Sequence, residues 1–394
     1  MTHNTLCPIC GSPELKEVFK INTVPAHCCI LWEDRQQAMN CPKGSIQLTF
    51  CNDCGHLFNS SFQNTLMDYT EDYENSLHFS PKFQEYSWNL IKRLTQAYQL
   101  YDKTILEIGC GKGDFLKMIT DYGHNKGYGF DKSYQPDLDK ASTYNGVTYI
   151  KDYYSEEYAT FSVDFIVTRF VLEHINHPCK FLEKIKILAT SVQKNEIIFY
   201  FEVPNILYTL RDMGIWDLIY EHFSHFSMPS LVRLFEKLGF QVIQVRENYG
   251  GQFLSVEAST HNNAAERHSA SINVKEVHNL VEKFSDHFHQ KIHAWQQSLE
   301  NLKKQGKQAV VWGGGAKGVS FLNFLNTANT IHHVVDINPR KTGKYIAGTG
   351  QKYILPKDLK RLKTEVVIVM NPIYKKEIEH TLNELNLAPE IWVA

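Results

Sequence analysis

The segment KTILEIGCGKGDFLKMITDYG, residues 103–123, constrains this chain more than any other. Thr104 to Ile108 read as a strand. Gly109, Gly111 and Gly113 make the turn after it. Asp114 to Tyr122 read as a helix. Glycines there let the backbone turn sharply and come close to a bound ligand. A strand, glycine turn and helix in that order imply an α/β fold around a buried parallel sheet. The glycine pattern alone leaves the ligand open, because dinucleotide-binding proteins use it too.

The flanking acids narrow the ligand. Glu107 stands at the strand end, before the turn. A carboxylate there opposes a phosphate, whereas a ligand carrying a sulfonium and an ammonium tolerates or uses it. KGYGFDKS is a second strand ending in Asp131, where a carboxylate takes the two ribose hydroxyls of an adenosine. VTYIKDYY offers Asp152 to an adenine amino group and Tyr153 beside the ring. SVDFIVTRFVLEHI is a fourth strand, apolar enough over Phe165 to Phe170 for a buried parallel strand. Its end brings Arg169, Glu173 and His174 to the crevice where such sheets bind ligands. An amphipathic helix precedes the sheet, with Trp88, Ile91, Leu94 and Tyr98 at helical spacing. Over roughly residues 85–245 this order resembles the class I S-adenosylmethionine (SAM) methyltransferases, which implies SAM rather than NAD as the ligand.

Seven of the nine cysteines fall in the first 54 residues. CPICG pairs Cys7 with Cys10, and CNDCG pairs Cys51 with Cys54. Each CxxCG aims two thiolates at one point, and four thiolates suit a closed tetrahedral structural zinc site. The metal supplies folding energy that so small a module lacks. A closed site has no open position, so zinc is not expected at the catalytic centre. A site that has lost its metal, or a set of redox thiols, are the competing readings. Cys28, Cys29 and Cys41 are spare, and His27 and His56 are not expected as ligands. The aromatic stretch that follows packs between domains or forms a lid, with Tyr69, Tyr73, Ser76 and His78 as candidates.

Beyond the strand NEIIFYFEVPN lies IYEHFSHF, where Tyr220, Glu221, His222 and His225 sit among large apolar side chains. A partly desolvated histidine beside a carboxylate can act as a general base near neutral pH. In such a place a histidine is also a common packing residue. Ser227 or Ser230 caps the next helix, whose apolar face is Leu231, Leu234, Phe235 and Leu238.

After a polar loop, Val277 to Leu302 repeat apolar residues at three and four, predicting a long helix able to bridge domains. GKQAVVWGGGAKGVSFLNFL is a second strand–glycine turn–helix, with Gly313, Gly314, Gly315 and Gly318. A following strand ends in Asp336, with Lys341 and Lys344 in the loop after it. This unit either binds a second nucleotide, such as the diphosphate handle of a sugar, through amides at the helix start, or closes the cleft as a scaffold.

The whole chain resembles the three-domain sugar C-methyltransferases. The resemblance rests on the four cysteines, on His174 in VLEH, on Glu221 and His222 in the family's tyrosine–histidine–glutamate–histidine motif, and on the loop KTGKYIAGTG. Ile219 stands where the family has its active-site tyrosine, and Tyr220 is the adjacent candidate replacement. The family's tyrosine near the end of the N-terminal region corresponds to Tyr73 or Tyr69. The resemblance implies a zinc-binding module over 1–68, a class I methyltransferase domain of Rossmann-like fold over 69–260, and a second Rossmann-like α/β domain over 261–394. That last domain is implied to be a degenerate cofactor domain that helps hold the substrate. The implied reaction is methylation of a carbon beside the ketone of a nucleotide-linked keto-deoxysugar. His174 or His222 serves as base, and Glu221 or a tyrosine orients the sugar. Methylation of oxygen or nitrogen in a related small metabolite is the nearest alternative.

Several other classes recede. The net charge of −2 disfavours a generic nucleic-acid binder or an RNA methyltransferase. The intact Glu107, glycine and Asp131 set speaks against a zinc protein that has lost its methyl site. No stretch of about 20 apolar residues suggests a membrane span, and no signal-peptide pattern opens the sequence. A cytoplasmic enzyme with a small-molecule substrate is expected. No motif sets an oligomeric state.

Overall fold

A computed structural model describes residues 6–67, 72–134, 146–158, 162–192, 196–260 and 273–394. Tyr69 lies outside the described residues. The N-terminal module is an antiparallel sheet of β1 (Leu15–Pro25), β2 (Lys43–Cys51) and β3 (Leu57–Asn59). Buried Ile46 and Leu48 of β2 flank the more exposed Gln47, and from Leu48 to Cys51 the strand is buried throughout.

The central sheet is built differently. Its first strands are β4 (Thr104–Ile108), β5 (Lys126–Phe130), β6 (Val147–Ile150), β7 (Phe165–Arg169) and β8 (Ile198–Pro204). All five run parallel. β7 is buried along its whole length, as a central strand covered on both faces must be. Next in the chain come the two-residue β9 (Ser224–His225), then β10 (Gln241–Asn248) and β11 (Phe253–Ser259). The sheet order is β10-β11-β8-β7-β4-β5-β6, with β11 antiparallel to both its neighbours. From β4 the chain winds outward through β5 and β6, then returns to β7 on the other side. The crevice at that reversal opens between the carboxyl ends of β4 and β7.

β9 does not join this sheet. It pairs with β3, Leu57 opposite His225 and Phe58 opposite Ser224, so the central domain contributes the fourth strand of the N-terminal sheet. The C-terminal sheet comprises β12 (Ala309–Trp312), β13 (His333–Val335), β14 (Lys352–Ile354), β15 (Val366–Val369) and β16 (Glu390–Val393). It is parallel throughout, in the order β14-β13-β12-β15-β16.

The helix Val274–Lys304 starts at a capping box formed by Asn273 and Glu276. Phe284 and Phe288 pack on Phe19 of β1, while Trp295 packs on Phe321 and Trp392 of the C-terminal domain. One apolar cluster runs through all three parts, from Phe19 and Phe50 through Leu210 and Trp216 to Val311 and Phe321. The helix Pro81–Tyr98 buries Ile91 and Leu94 of the expected face, with Tyr98 packed against the same cluster, but departs from it at Trp88. It buries Phe83, Leu90, Ile91 and Leu94, whereas Trp88 is exposed beside Tyr122. The buried row includes Ser87, which places Trp88 outside it. Among the described residues no helix is long and apolar enough to cross a membrane.

Candidate active site

The glycine turn sits at the crevice. Gly109 has φ +76°, and a Cβ on it would lie 2.1 Å from Val171 Cγ2, so a larger residue is excluded twice over. A Cβ on Gly111 would meet nothing within 4 Å, which leaves open space over the middle of the turn. Gly113 adopts φ +83° as N-cap of the helix Asp114–Gly123. The Gly111 N–H donates to Asp131 Oδ2 at 2.8 Å, and Ser133 donates through both N–H and Oγ to Oδ1 at 2.7 Å. Asp131 thereby ties the end of β5 to the turn. Oδ1 already accepts twice, whereas Oδ2 accepts once and retains acceptor capacity for a ribose hydroxyl.

Glu107 is buried, and its Oε2 has no hydrogen-bond partner among the described residues. Burial raises its pKa to about 8, with Arg169 opposing and Asp131 adding to the rise. An unpartnered buried carboxylate is the surface a cationic ligand satisfies. Asp152 accepts from the Tyr153 N–H at 2.8 Å and from the Tyr158 hydroxyl at 2.9 Å, and these bonds hold its pKa below the usual range. Tyr153 is 64% exposed, with Lys132 Nζ 5.7 Å from its ring centre, so its ring faces outward. Tyr154 instead lies edge-on to Phe130 at 5.2 Å.

The floor of the crevice is a charged group that sequence reasoning did not assemble. Arg169 Nε donates to Glu202 Oε2 at 2.8 Å. Tyr200 and Tyr86 hydroxyls both reach Glu202 Oε1. The Arg169 guanidinium also stacks 4.5 Å over Phe115. The signal was present: a lone glutamate inside the apolar run IIFYFEV demands a buried cationic partner.

Beyond the crevice, two segments bring the histidines together. Leu172–His174 form a short 3-10 turn after β7. His174 Nδ1 lies 3.0 Å from the Glu221 carbonyl oxygen. A carbonyl only accepts, so Nδ1 donates and the neutral ring keeps its lone pair on Nε2. That nitrogen is 4.0 Å from Glu173 Oε1. The His174 and His222 ring centres are 5.1 Å apart, and those of His222 and His225 5.9 Å. Burial lowers the pKa of His174 and takes that of His222 well below the ordinary value, favouring neutral imidazoles. Glu173, at the same corner, is raised to about 8 by burial.

Glu221 is fully buried, and its carboxylate faces the N-terminal module. Oε1 lies 3.1 Å from His27 Nδ1, and Oε2 accepts from the Cys28 N–H at 3.2 Å. Tyr73 is on the same side, bridged to Ile30, with its ring 6.3 Å from that of His27. Tyr220 is not brought to the histidines. Its hydroxyl accepts from the Gln63 N–H at 2.7 Å, and its ring stacks on Phe62 over Gly44. Ser76 and His78 are also taken up locally, by Glu74 and Phe83.

The second glycine turn is filled by its own domain. Asp336 Oδ2 accepts from the Gly314 N–H at 3.0 Å and from Lys341 Nζ at 2.9 Å. Tyr353 donates to the Gly314 carbonyl at 2.7 Å, and a Cβ on Gly314 would collide with that ring at 2.1 Å. Lys344 pairs with Glu33 of the N-terminal module. Neighbouring Asn338 and Arg340 bind Glu74, so this loop holds the segment that carries Tyr73. In the N-terminal module, the sulfurs of Cys7, Cys10, Cys51 and Cys54 lie within 4.8 Å of one another. Gly11 and Gly55, both at positive φ, close the two turns onto the Cys7 and Cys51 carbonyls. His56 stacks on Phe58 outside the cluster, and His27 is engaged with Glu221.

Residues 82–245 match the family model of a methyltransferase domain, and residues 250–393 match that of a C-methyltransferase C-terminal domain. No curated protein matches the chain. Among solved structures, a putative S-adenosylmethionine dependent methyltransferase from Listeria monocytogenes is similar at 17% identity. That match covers 45% of this chain and 100% of the other, with a TM-score of 0.36. A SAM dependent methyltransferase from Aquifex aeolicus is similar at 22% identity, covering 47% and 95%, with a TM-score of 0.35. Magnesium protoporphyrin IX methyltransferase from Synechocystis, with bound SAH, is similar at 15% identity, covering 46% and 84%, with a TM-score of 0.35. With its methyltransferase sheet, its glycine turn at the crevice and the two domain matches in tandem, the chain is a SAM-dependent methyltransferase whose last domain is of C-methyltransferase type.

Proposed function

We propose that the chain methylates a carbon beside the ketone of a nucleotide-linked keto-deoxysugar. The observation that carries this reading is the His174–His222 pair, His222 buried and His174 half-buried, both rings shifted toward the neutral form by desolvation, in a chain that ends in a C-methyltransferase-type domain. Glu107, Gly109, Gly111, Gly113, Asp131 and Asp152 hold the cofactor. Bound SAM supplies an electrophilic methyl group. His174 or His222 would accept the proton from the sugar carbon, leaving an enolate whose carbon would take the methyl as its bond to sulfur breaks, with S-adenosylhomocysteine as the leaving group. Glu221 and Tyr73 line the side from which the sugar is oriented. The Tyr73 face takes over from the tyrosine that Ile219 replaces, since Tyr220 is committed to Gln63. Cys7, Cys10, Cys51 and Cys54 hold a structural zinc ion. The C-terminal domain closes the cleft as a scaffold, because Lys341 and Tyr353 already occupy its glycine turn.

The test is product analysis. The enzyme is incubated with 13C-methyl-labelled SAM and a nucleoside-diphosphate 4-keto-6-deoxysugar. A new carbon–carbon bond in the NMR spectrum is expected. A methyl ether or methylamine would move the reading to oxygen or nitrogen transfer.

The cofactor half has its own prediction. Asp131→Ala removes acceptor bonds to ribose and frees the Gly111 amide. Hydrogen bonds to a charged group contribute about 1.5–3 kcal/mol, so S-adenosylhomocysteine affinity should fall roughly ten- to hundredfold in calorimetry. Unchanged affinity would take Asp131 out of the cofactor site.

A further inference from the structure

We infer that His27, supplied by the N-terminal module, is a positioning residue of the active site that sets Glu221 and, through it, His174. The inference rests on the acid–base reading of the histidine pair. Glu221 is a junction with two faces. Its carboxylate is held by the His27 ring and the Cys28 N–H, both from one loop of the zinc-binding module. Its carbonyl holds His174 Nδ1. The two grips act on one residue, so the orientation of Glu221 fixes which nitrogen of His174 carries the proton.

The arrangement is costly as mere packing. Glu221 is fully buried and His27 nearly so, 194 positions apart in the chain. Burying a carboxylate requires hydrogen bonds to replace its hydration, and a pair of apolar side chains would fill the same space without that cost. His27 also lies beside Tyr73, so it borders the face proposed to orient the sugar. Zinc-module and methyltransferase residues thus form one site, and the module does more than supply stability.

Two variants test this in the full-length enzyme. His27→Ala removes the donor, whereas His27→Gln offers a neutral N–H in its place. His27→Ala should lower kcat roughly tenfold to a hundredfold, the scale of a small misplacement of catalytic groups, with KM for the sugar and S-adenosylhomocysteine affinity within about threefold. His27→Gln should regain much of the loss. Independently of any acceptor, 15N NMR of the histidine rings should show the Nδ1–H form of His174 in the parent and in His27→Gln, and a mixture of forms in His27→Ala. That readout stands apart from the identity of the sugar, so a wrong acceptor would leave it untouched. The inference is overturned if His27→Ala keeps parental kcat and the Nδ1–H form. It is equally overturned if both variants lose activity only in step with thermal stability.

Discussion

His222→Ala is expected to lower turnover by roughly two to four orders of magnitude, the usual worth of a placed general base, while S-adenosylhomocysteine affinity stays within about twofold. The separation follows from the layout. The cofactor residues lie on the turn after β4 and at the ends of β5 and β6. His222 lies before β9, across the His174 ring. His174→Ala should behave alike, because His174 offers Nε2 once Nδ1 is committed to the Glu221 carbonyl. The pH dependence carries a sign. Burial, the largest influence on both rings, lowers their pKa values from the ordinary 6.5. A base works in its deprotonated form, so the acid limb of kcat/KM in the free enzyme should fall below pH 6.5, and activity should persist in mildly acid solution. Full activity in both alanine variants would show that neither ring is the base.

What the sequence makes legible is local. The glycine turn and the acids at successive strand ends follow from short-range spacing, and the structure places Glu107 and Asp131 around one crevice. The paired cysteines are legible in the same way, because each CxxCG is its own turn. What was not legible depends on partners far along the chain. Nothing near Tyr220 announces that its hydroxyl is taken by Gln63, or that two residues of the central domain extend the N-terminal sheet. The His27–Glu221 pair is of the same kind. Exposure misled at Trp88, where an aromatic ring was expected on the buried face of a helix and faces solvent instead. At the second glycine turn the motif was readable, but its neighbours Lys341 and Tyr353 fill it.

Loss of the metal from the four-cysteine cluster should abolish methyl transfer and not merely loosen one end of the molecule. Apparent binding energies of structural zinc reach about 10–16 kcal/mol, comparable to the entire stability of a domain at about 5–15 kcal/mol. The paired change Cys51→Ser with Cys54→Ser should therefore unfold the module. The damage travels by a short route. Cys51 ends β2, β2 holds β3, and β3 pairs with Ser224 and His225, two and three residues beyond His222. The same module carries His27 and Cys28, which hold Glu221. Both supports of the acceptor side are lost together, whereas Gly111 and Asp131 depend on the central sheet. S-adenosylhomocysteine binding should thus outlast turnover as metal is withdrawn by a chelator. Zinc content, the thermal transition and activity are followed on one sample, with Cys41→Ala as the control outside the cluster. A metal-free chain that keeps the parental transition and turnover would refute the role given to these four cysteines. Parallel loss of cofactor binding and turnover would refute that separation and mean that the central domain cannot stand without the module, on whose Cys7, Cys51 and Cys54 the Leu106, Ile108 and Phe130 core packs.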